Sequence, residues 1–250
     1  MDKYVIMISI LLLILIMTLL LPCNIESFEE SNDNHTLNEI QRINKIDKGK
    51  RTIFISIASY RDTDCPNTIK SIYEKAKYPE RIFVGICQQN DSKDPDCFNP
   101  IYKNNIRIIR FTDKEAGGPC VARYYCSKLY NNEDYYIQID SHTRFIKDYD
   151  EILINMIPER KVVLSTYPND QITENDGDTV SIICNPKYES DMISFGGLLI
   201  AKPDKLIESA LVTGGFFFTY GCFLLEVPFD PDLNQIIFRR RNIIFCSFMD

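Results

Sequence analysis

The sequence has no tryptophan, only two histidines (His35 and His142) and no Cys-x-x-Cys pair among its nine cysteines. The spacing of a structural zinc site is therefore absent. A basic excess is missing as well: 28 Lys and Arg stand against 35 Asp and Glu, a net charge of −7. Such a balance offers no surface for a phosphate backbone, and nucleic acid is not an expected partner. No repeat is visible at the periods that mark solenoids. Disulfides stay open: Cys120 and Cys126 lie six apart, and Cys87 with Cys97 would close a loop, but spacing does not fix connectivity.

What is present begins with an apolar run. Residues 5–21 form a stretch of 17 without a charge, nearly all Ile, Leu or Met, about the minimum for a ~30 Å hydrocarbon core. A cleaved signal peptide is the rival reading, but it carries a shorter apolar region and small residues before the cut, which Leu20-Leu21-Pro22-Cys23 does not offer. Lys3 precedes the run and Glu26, Glu29 and Glu30 follow it. The expectation is a single-pass membrane protein: residues 1–4 a cytoplasmic tail, 5–21 the anchor, and the rest lumenal, in the endoplasmic reticulum or Golgi. Asn34-His35-Thr36 and Asn90-Asp91-Ser92 fit the glycosylation acceptor pattern, so a glycoprotein is expected.

Residues 22–50 are polar, without an apolar period, and read as a stem. The folded domain is expected over 51–238. Short β-branched runs at 52–58 (TIFISIA), 81–87 (RIFVGIC), 106–111 (IRIIRF) and 135–139 (YYIQI) predict strands. Residues 67–77 carry helical spacing through Ile69, Ile72 and Ala76, and a second helix starts after Gly117-Gly118-Pro119. Strands alternating with helices predict an α/β domain with a parallel sheet. Residues 161–165 and 194–201 read as later strands, with a loose polar stretch at 168–178. The run Phe216-Phe217-Phe218 reads as core rather than as a sugar platform.

The strand at 135–139 ends on Asp140-Ser141-His142, and in open α/β sheets ligands bind at the carboxyl ends of strands. On an extended chain residues two apart leave the same face, with Ser141 opposite, so Asp140 and His142 can share a divalent ion. Carboxylate with imidazole suits Mn²⁺ better than Ca²⁺, which takes oxygen throughout. The bland alternative is a polar turn after a strand.

The blocks ISIASYRD (55–62), YPERIFVGICQQ (78–89), GGPCVARYYC (117–126), YYIQIDSHTRF (135–145) and LLEVPFDPDL (224–233) stand in an order that resembles a known family. This is the hydroxyproline-directed N-acetylglucosaminyltransferases, distant relatives of the mucin-type polypeptide GalNAc-transferases. The resemblance covers residues 51–238. It implies a nucleotide-sugar glycosyltransferase fold of the GT-A-like type with a Rossmann-like donor half and UDP-GlcNAc as donor. A divalent metal, Mn²⁺ or Mg²⁺, would be held by Asp140 and His142. Ser59, Tyr60, Arg61 and Asp62 match the segment that approaches the uridine, and Ser141 joins the donor side. Arg123 matches an arginine suited to a diphosphate. Glu226 and Asp230 match the acceptor side, where the partner is a protein or glycan hydroxyl such as that of hydroxyproline. Each residue has a plainer reading: a surface ion pair for Arg123, a helix cap for Asp62, turn chemistry for Glu226 and Asp230. The anchor is a departure, since the best-known relatives act in the cytoplasm.

Beyond Phe238 the family pattern continues Gly-Glu-Glu-Ile, with a tryptophan and a metal-binding histidine later, whereas this chain reads Arg239-Arg240-Arg241-Asn242 and stops at Asp250. If those arginines are AGG, AGA and AGA, a one-base shift restores Gly-Glu-Glu-Ile and places Trp across residues 248–250. Residues 239–250 are therefore expected to be an out-of-frame tail, making the domain C-terminally truncated. The alternative function follows from that: a catalytically inactive relative that still binds the nucleotide sugar.

Overall fold

The first apolar run of the folded domain forms strand β1 (Ile53–Tyr60). Ile53, Ile55 and Ile57 pack into one cluster and Phe54 into another, because successive side chains leave opposite faces of a strand. A strand buried on both faces belongs inside a covered sheet. Helix α1 (Cys65–Lys75) follows, with Pro66 in its first turn and Cys65, Thr68, Ile69 and Ile72 on its buried stripe, the spacing of an amphipathic helix. Then come β2 (Ile82–Asn90), β3 (Ile106–Thr112), α2 (Pro119–Ser127), β4 (Tyr135–Asp140) and α3 (Tyr149–Met156). The later elements are β5 (Leu164–Ser165), β6 (Thr179–Glu189), β7 (Met192–Ala201), β8 (Phe216–Tyr220) and α4 (Phe223–Glu226).

This computed structural model describes residues 51–157, 162–168, 179–189, 192–209 and 211–232. The expected anchor (5–21), stem (22–50) and tail (239–250) lie outside the described residues. Among the described residues no helix is long and apolar enough to cross a membrane.

The main sheet has the order β3-β2-β1-β4-β8-β5. β1, β2, β3 and β4 run parallel, whereas β8 is antiparallel to β4 and β5 to β8. The expected parallel sheet thus holds for four strands and is corrected at one edge, where an antiparallel pair closes a mixed sheet. Helices cover both faces. Ile69 and Ile72 of α1 join Tyr149 and Ile154 of α3 over the isoleucines of β1. On the other face Ala122 and Cys126 of α2 meet Cys87, and Phe223 and Leu224 of α4 meet Phe54, Tyr136 and Phe217. Phe217 and Phe218 are fully buried, so the phenylalanine run is core, as expected. β6 and β7 form a separate antiparallel ribbon with an irregularity between Cys184 and Pro186.

Cys65 is disulfide-bonded to Cys97, which ties the start of α1 to the loop after β2. Neither pairing suggested by spacing forms. Six residues of helix separate Cys120 from Cys126 by roughly 9 Å, beyond disulfide reach. Cys87 is buried within β2 under α2.

The chain leaves β1 for β2 and β3 on one side, then returns to lay β4 on the other side. A crevice opens at such a reversal, outside the carboxyl ends of the two diverging strands. Here those ends are Tyr60 and Asp140.

Candidate active site

Past Tyr60 the chain turns sharply. Arg61 takes φ 49°, a left-handed conformation that a non-glycine residue adopts at a cost. It is held there by its amide, which donates to the Gln89 carbonyl at 3.1 Å, and by its guanidinium, which meets Asp94 at 3.0 Å and Asp113 at 3.9 Å. The turn directs Asp62 toward the end of β4. One oxygen of Asp62, Oδ2, accepts from the Ser141 hydroxyl and lies 2.8 Å from His142 Nδ1; the other, Oδ1, accepts the Asp64 amide at 2.9 Å. Burial works to raise this carboxyl, but the Ser141, His142 and Asp64 hydrogen bonds outweigh it and hold Asp62 below the ordinary carboxylate value. The helix-cap reading of Asp62 is corrected: the residue preceding α1 is Asp64, and neither side chain caps the helix.

The turn after β4 is fixed from several sides. Ser141 is buried, and its carbonyl accepts from the Thr68 hydroxyl of α1 at 2.7 Å. Arg144 reaches Asp64 and, at 3.2 Å, Thr68. The strict alternation expected across Asp140-Ser141-His142 is therefore corrected: Ser141 and His142 both bind Asp62, because β4 ends at Asp140 and the pleat ends with it. The His142 side chain is 67% exposed and that of Asp140 41% exposed.

Asp140 is backed by a second set of contacts. Arg123 of α2 donates to Asp140 Oδ1 at 3.3 Å and to the Gly214 carbonyl at 2.8 Å. The Gln138 side chain donates to the same carbonyl at 2.7 Å, and the Asp140 amide donates to the Gly215 carbonyl at 3.2 Å. Thr213 anchors this loop, its hydroxyl lying 2.9 Å from the Thr166 carbonyl and 2.9 Å from the Phe216 carbonyl, either of which can take its one proton. A Cβ on Gly215 would sit 2.8 Å from Asp140 Oδ2, and one on Gly214 3.2 Å from the Arg123 guanidinium. Neither glycine has a positive φ, so close approach explains them rather than backbone freedom.

The structure brings Asp62, Ser141 and His142 together, and Arg123 with Asp140. Arg123 is not the surface ion pair of the plainer reading: its side chain is 14% exposed and its Nε is buried without a partner among the described residues. Ser59 is fully buried, with its hydroxyl 3.6 Å from the Cys97 sulfur, whereas Tyr60 is exposed at the rim. Asp230 accepts the Asp232 amide at 2.8 Å, the turn geometry, and Glu226 is an exposed residue at the end of α4. Sequence reasoning missed Gln138, Thr213, Gly214 and Gly215; the glycine doublet before a strand was the available signal of a close backbone approach. Burial pushes the Cys126 thiol up to about 11 and the Cys87 thiol higher still, so neither serves as a nucleophile at neutral pH.

Among the described residues no group of three or more His, Cys, Asp and Glu gathers as a metal centre. What Asp140 and His142 offer is a two-ligand donor set at the crevice: one partly exposed carboxylate, and one imidazole with its second nitrogen on a carboxylate. A carboxylate and an imidazole are ligand types that a divalent ion takes together with phosphate oxygens and water.

The model of a family described as Glycosyltransferase (GlcNAc) matches residues 52–104 and 99–244, so the match runs past Phe238. Among curated protein sequences none is matched. Three crystal structures of TarS residues 1–349 from S. aureus are among the solved structures to which this chain is similar. The UDP-GlcNAc complex is 13% identical, with 70% of this chain and 47% of that chain covered and a TM-score of 0.44. The structure named without a ligand is 14% identical, with 73% and 51% covered and a TM-score of 0.46. The UDP complex is 13% identical, with 70% and 48% covered and a TM-score of 0.41. This chain thus spans about half the length of those proteins.

Proposed function

The chain belongs to the GlcNAc glycosyltransferase family, and on that premise we propose that it transfers N-acetylglucosamine from UDP-GlcNAc to a hydroxyl acceptor where β1 and β4 end. The observation that carries this reading is the placement of Asp140 and His142, both open to solvent at the topological reversal of the sheet. Glycosyl transfer forms a bond from the acceptor oxygen to the anomeric carbon and breaks the bond to the phosphate oxygen, which leaves with the electron pair, while the acceptor hydroxyl gives up its proton to solvent or to the departing diphosphate. A Mn²⁺ or Mg²⁺ ion held by Asp140 and His142 would supply electrostatic stabilisation of the departing UDP.

The chain's own residues orient the parts. Arg123 and the Gly214–Gly215 backbone hold Asp140 in place, and Arg123 adds a positive charge beside the position a diphosphate would occupy. Tyr60 presents an exposed ring at the rim, suited to packing against a nucleoside base. A protein hydroxyproline is the acceptor favoured by the motif order.

A second reading, a relative that binds the nucleotide sugar without transfer, is favoured by the absence of a third protein ligand among the described residues. Calorimetry and a transfer assay separate the two. UDP is expected to bind with a Mn²⁺ requirement, and Asp140→Asn is expected to weaken that binding at least tenfold with the thermal midpoint preserved. Mn²⁺-dependent binding together with sugar transfer supports the enzyme, and binding alone supports the second reading. UDP binding indifferent to Mn²⁺ and to Asp140→Asn removes the metal role and returns the motif to a turn, and a chain that does not bind UDP removes both readings.

A further inference from the structure

Asp62 follows the end of β1, whereas the pair it touches follows the end of β4; His142 lies 80 residues later in the chain. We infer that Asp62 is a positioning residue that sets the tautomer and direction of the His142 ring, rather than a group that contacts the donor. The inference rests on the metal-binding reading of Asp140 and His142 proposed above.

Three observations carry it. Both oxygens of Asp62 are already engaged: Oδ1 with the Asp64 amide, and Oδ2 with Ser141 and with His142 Nδ1 at 2.8 Å. A carboxylate so occupied has little capacity left for a nucleoside. Between β1 and Asp62 the backbone at Arg61 takes φ 49°, a left-handed conformation that persists only where surrounding contacts enforce it, and the contacts of Asp62 with Ser141 and His142 lie just beyond it. Finally, the His142 side chain is 67% exposed, so packing alone does not fix the ring.

The chemistry follows from the donor inventory. Ionised Asp62 accepts hydrogen bonds and donates none, so Nδ1 of His142 carries the proton. In the neutral ring the lone pair is then left on Nε2, the form that ligates a divalent ion. Carboxylate partners of this kind orient metal-binding histidines and raise their basicity, and losing one costs about 10–100-fold in metal affinity.

The test uses the full chain in detergent with ¹⁵N-labelled histidine. Only His35 and His142 contribute imidazole signals, and His142→Ala assigns them. In the metal-free protein His142 is expected to show a protonated Nδ1 and a bare Nε2. Asp62→Ala is expected to abolish that preference and weaken Mn²⁺ binding, titrated calorimetrically with UDP present, by about 10–100-fold. Asp62→Asn keeps an acceptor oxygen for Nδ1 and guards against misfolding; it is expected to keep the tautomer and lose less affinity than Asp62→Ala. A wild-type His142 with its proton on Nε2 overturns the inference, as does an Asp62→Asn chain whose Mn²⁺ affinity and tautomer equal the wild type while folded Asp62→Ala also matches it. If instead wild-type Mn²⁺ binding is missing or indifferent to Asp140→Asn, the functional reading itself fails, a result distinct from Asp62 insensitivity alone.

Discussion

At the scale of single residues, two glycines separate function from stability. A Cβ on Gly215 meets only the end of the Asp140 side chain, 2.8 Å away, so the carboxylate moves and the backbone does not. Gly215→Ala is expected to unfold within a degree or two of the wild type yet weaken Mn²⁺-dependent UDP binding, read by scanning and titration calorimetry. A Cβ on Gly221 instead runs into the Glu133 carbonyl and the Tyr130 ring, which belong to the packed frame. Gly221→Ala is expected to cost about 1–3 kcal/mol or more, as overpacking does, measured by denaturant unfolding. Equal stability loss in both variants would deny Gly215 its local role. These residues also mark how far the sequence was legible. Asp140 and His142 stood out because a polar pair followed an apolar strand. Gln138 and Gly214 did not, because the bond between them joins positions 76 apart, and no local pattern encodes an approach made by β8 returning beside β4. The contact of Asp62 with Ser141 and His142 was not legible, because it depends on the left-handed turn at Arg61.

Elements tell a similar story. β1, β2 and β4 were legible because burial on both faces demands continuous apolar runs, and edge strand β3 by its run of isoleucines; the observed bounds of all four lie within a few residues of the expected ones. β6 was not anticipated: with Pro186 and Lys187 it shows no alternation, and its partner β7 supplies the pairing. The loop after β2 is the element whose construction matters most to the site. Asp94 accepts from the Asp91 amide and from Arg61, Asp96 pairs with Arg110, the Cys97 amide donates to Gln88, and the disulfide holds Cys97 to the start of α1. Arg61 belongs to the strained turn, so this loop braces the segment that carries Asp62. A crosslink over a sequence separation of 32 contributes about 3–4 kcal/mol in the chain-entropy account. Replacing Cys65 and Cys97 by serine is therefore expected to lower denaturation stability by about that amount and to speed amide exchange across residues 91–98. Unchanged exchange there, with lower global stability, would place the effect of the crosslink in the unfolded chain alone.

For the whole molecule, the disulfide and the N-terminal hydropathy bear on compartment by separate physics. We propose that residues 5–21 anchor the chain with its catalytic domain on the lumenal side of the membrane. The 17 uncharged residues there match the length that a hydrocarbon core requires, about 17–25 residues, and Lys3 before the run favours a cytoplasmic N-terminus. Independently, the buried disulfide between Cys65 and Cys97 supports this side, because disulfides persist in oxidising compartments and cytosolic thiols are generally kept reduced. Of the two glycosylation acceptor sites, Asn90 is the last residue of β2 and donates its side-chain amide to the Pro95 carbonyl of the following loop at 2.9 Å; Asn34 precedes the folded domain. Translation into microsomes is thus expected to give a chain that resists carbonate extraction, survives added protease, and shifts on glycosidase treatment through Asn34 rather than Asn90. Without a reductant, Cys65 and Cys97 are expected to resist alkylation in the unfolded, protease-protected chain. Release as a shortened soluble product would mean that the apolar run is a cleaved signal. Alkylation of both cysteines in a protease-accessible domain would place it on the reducing side and remove the compartment argument altogether.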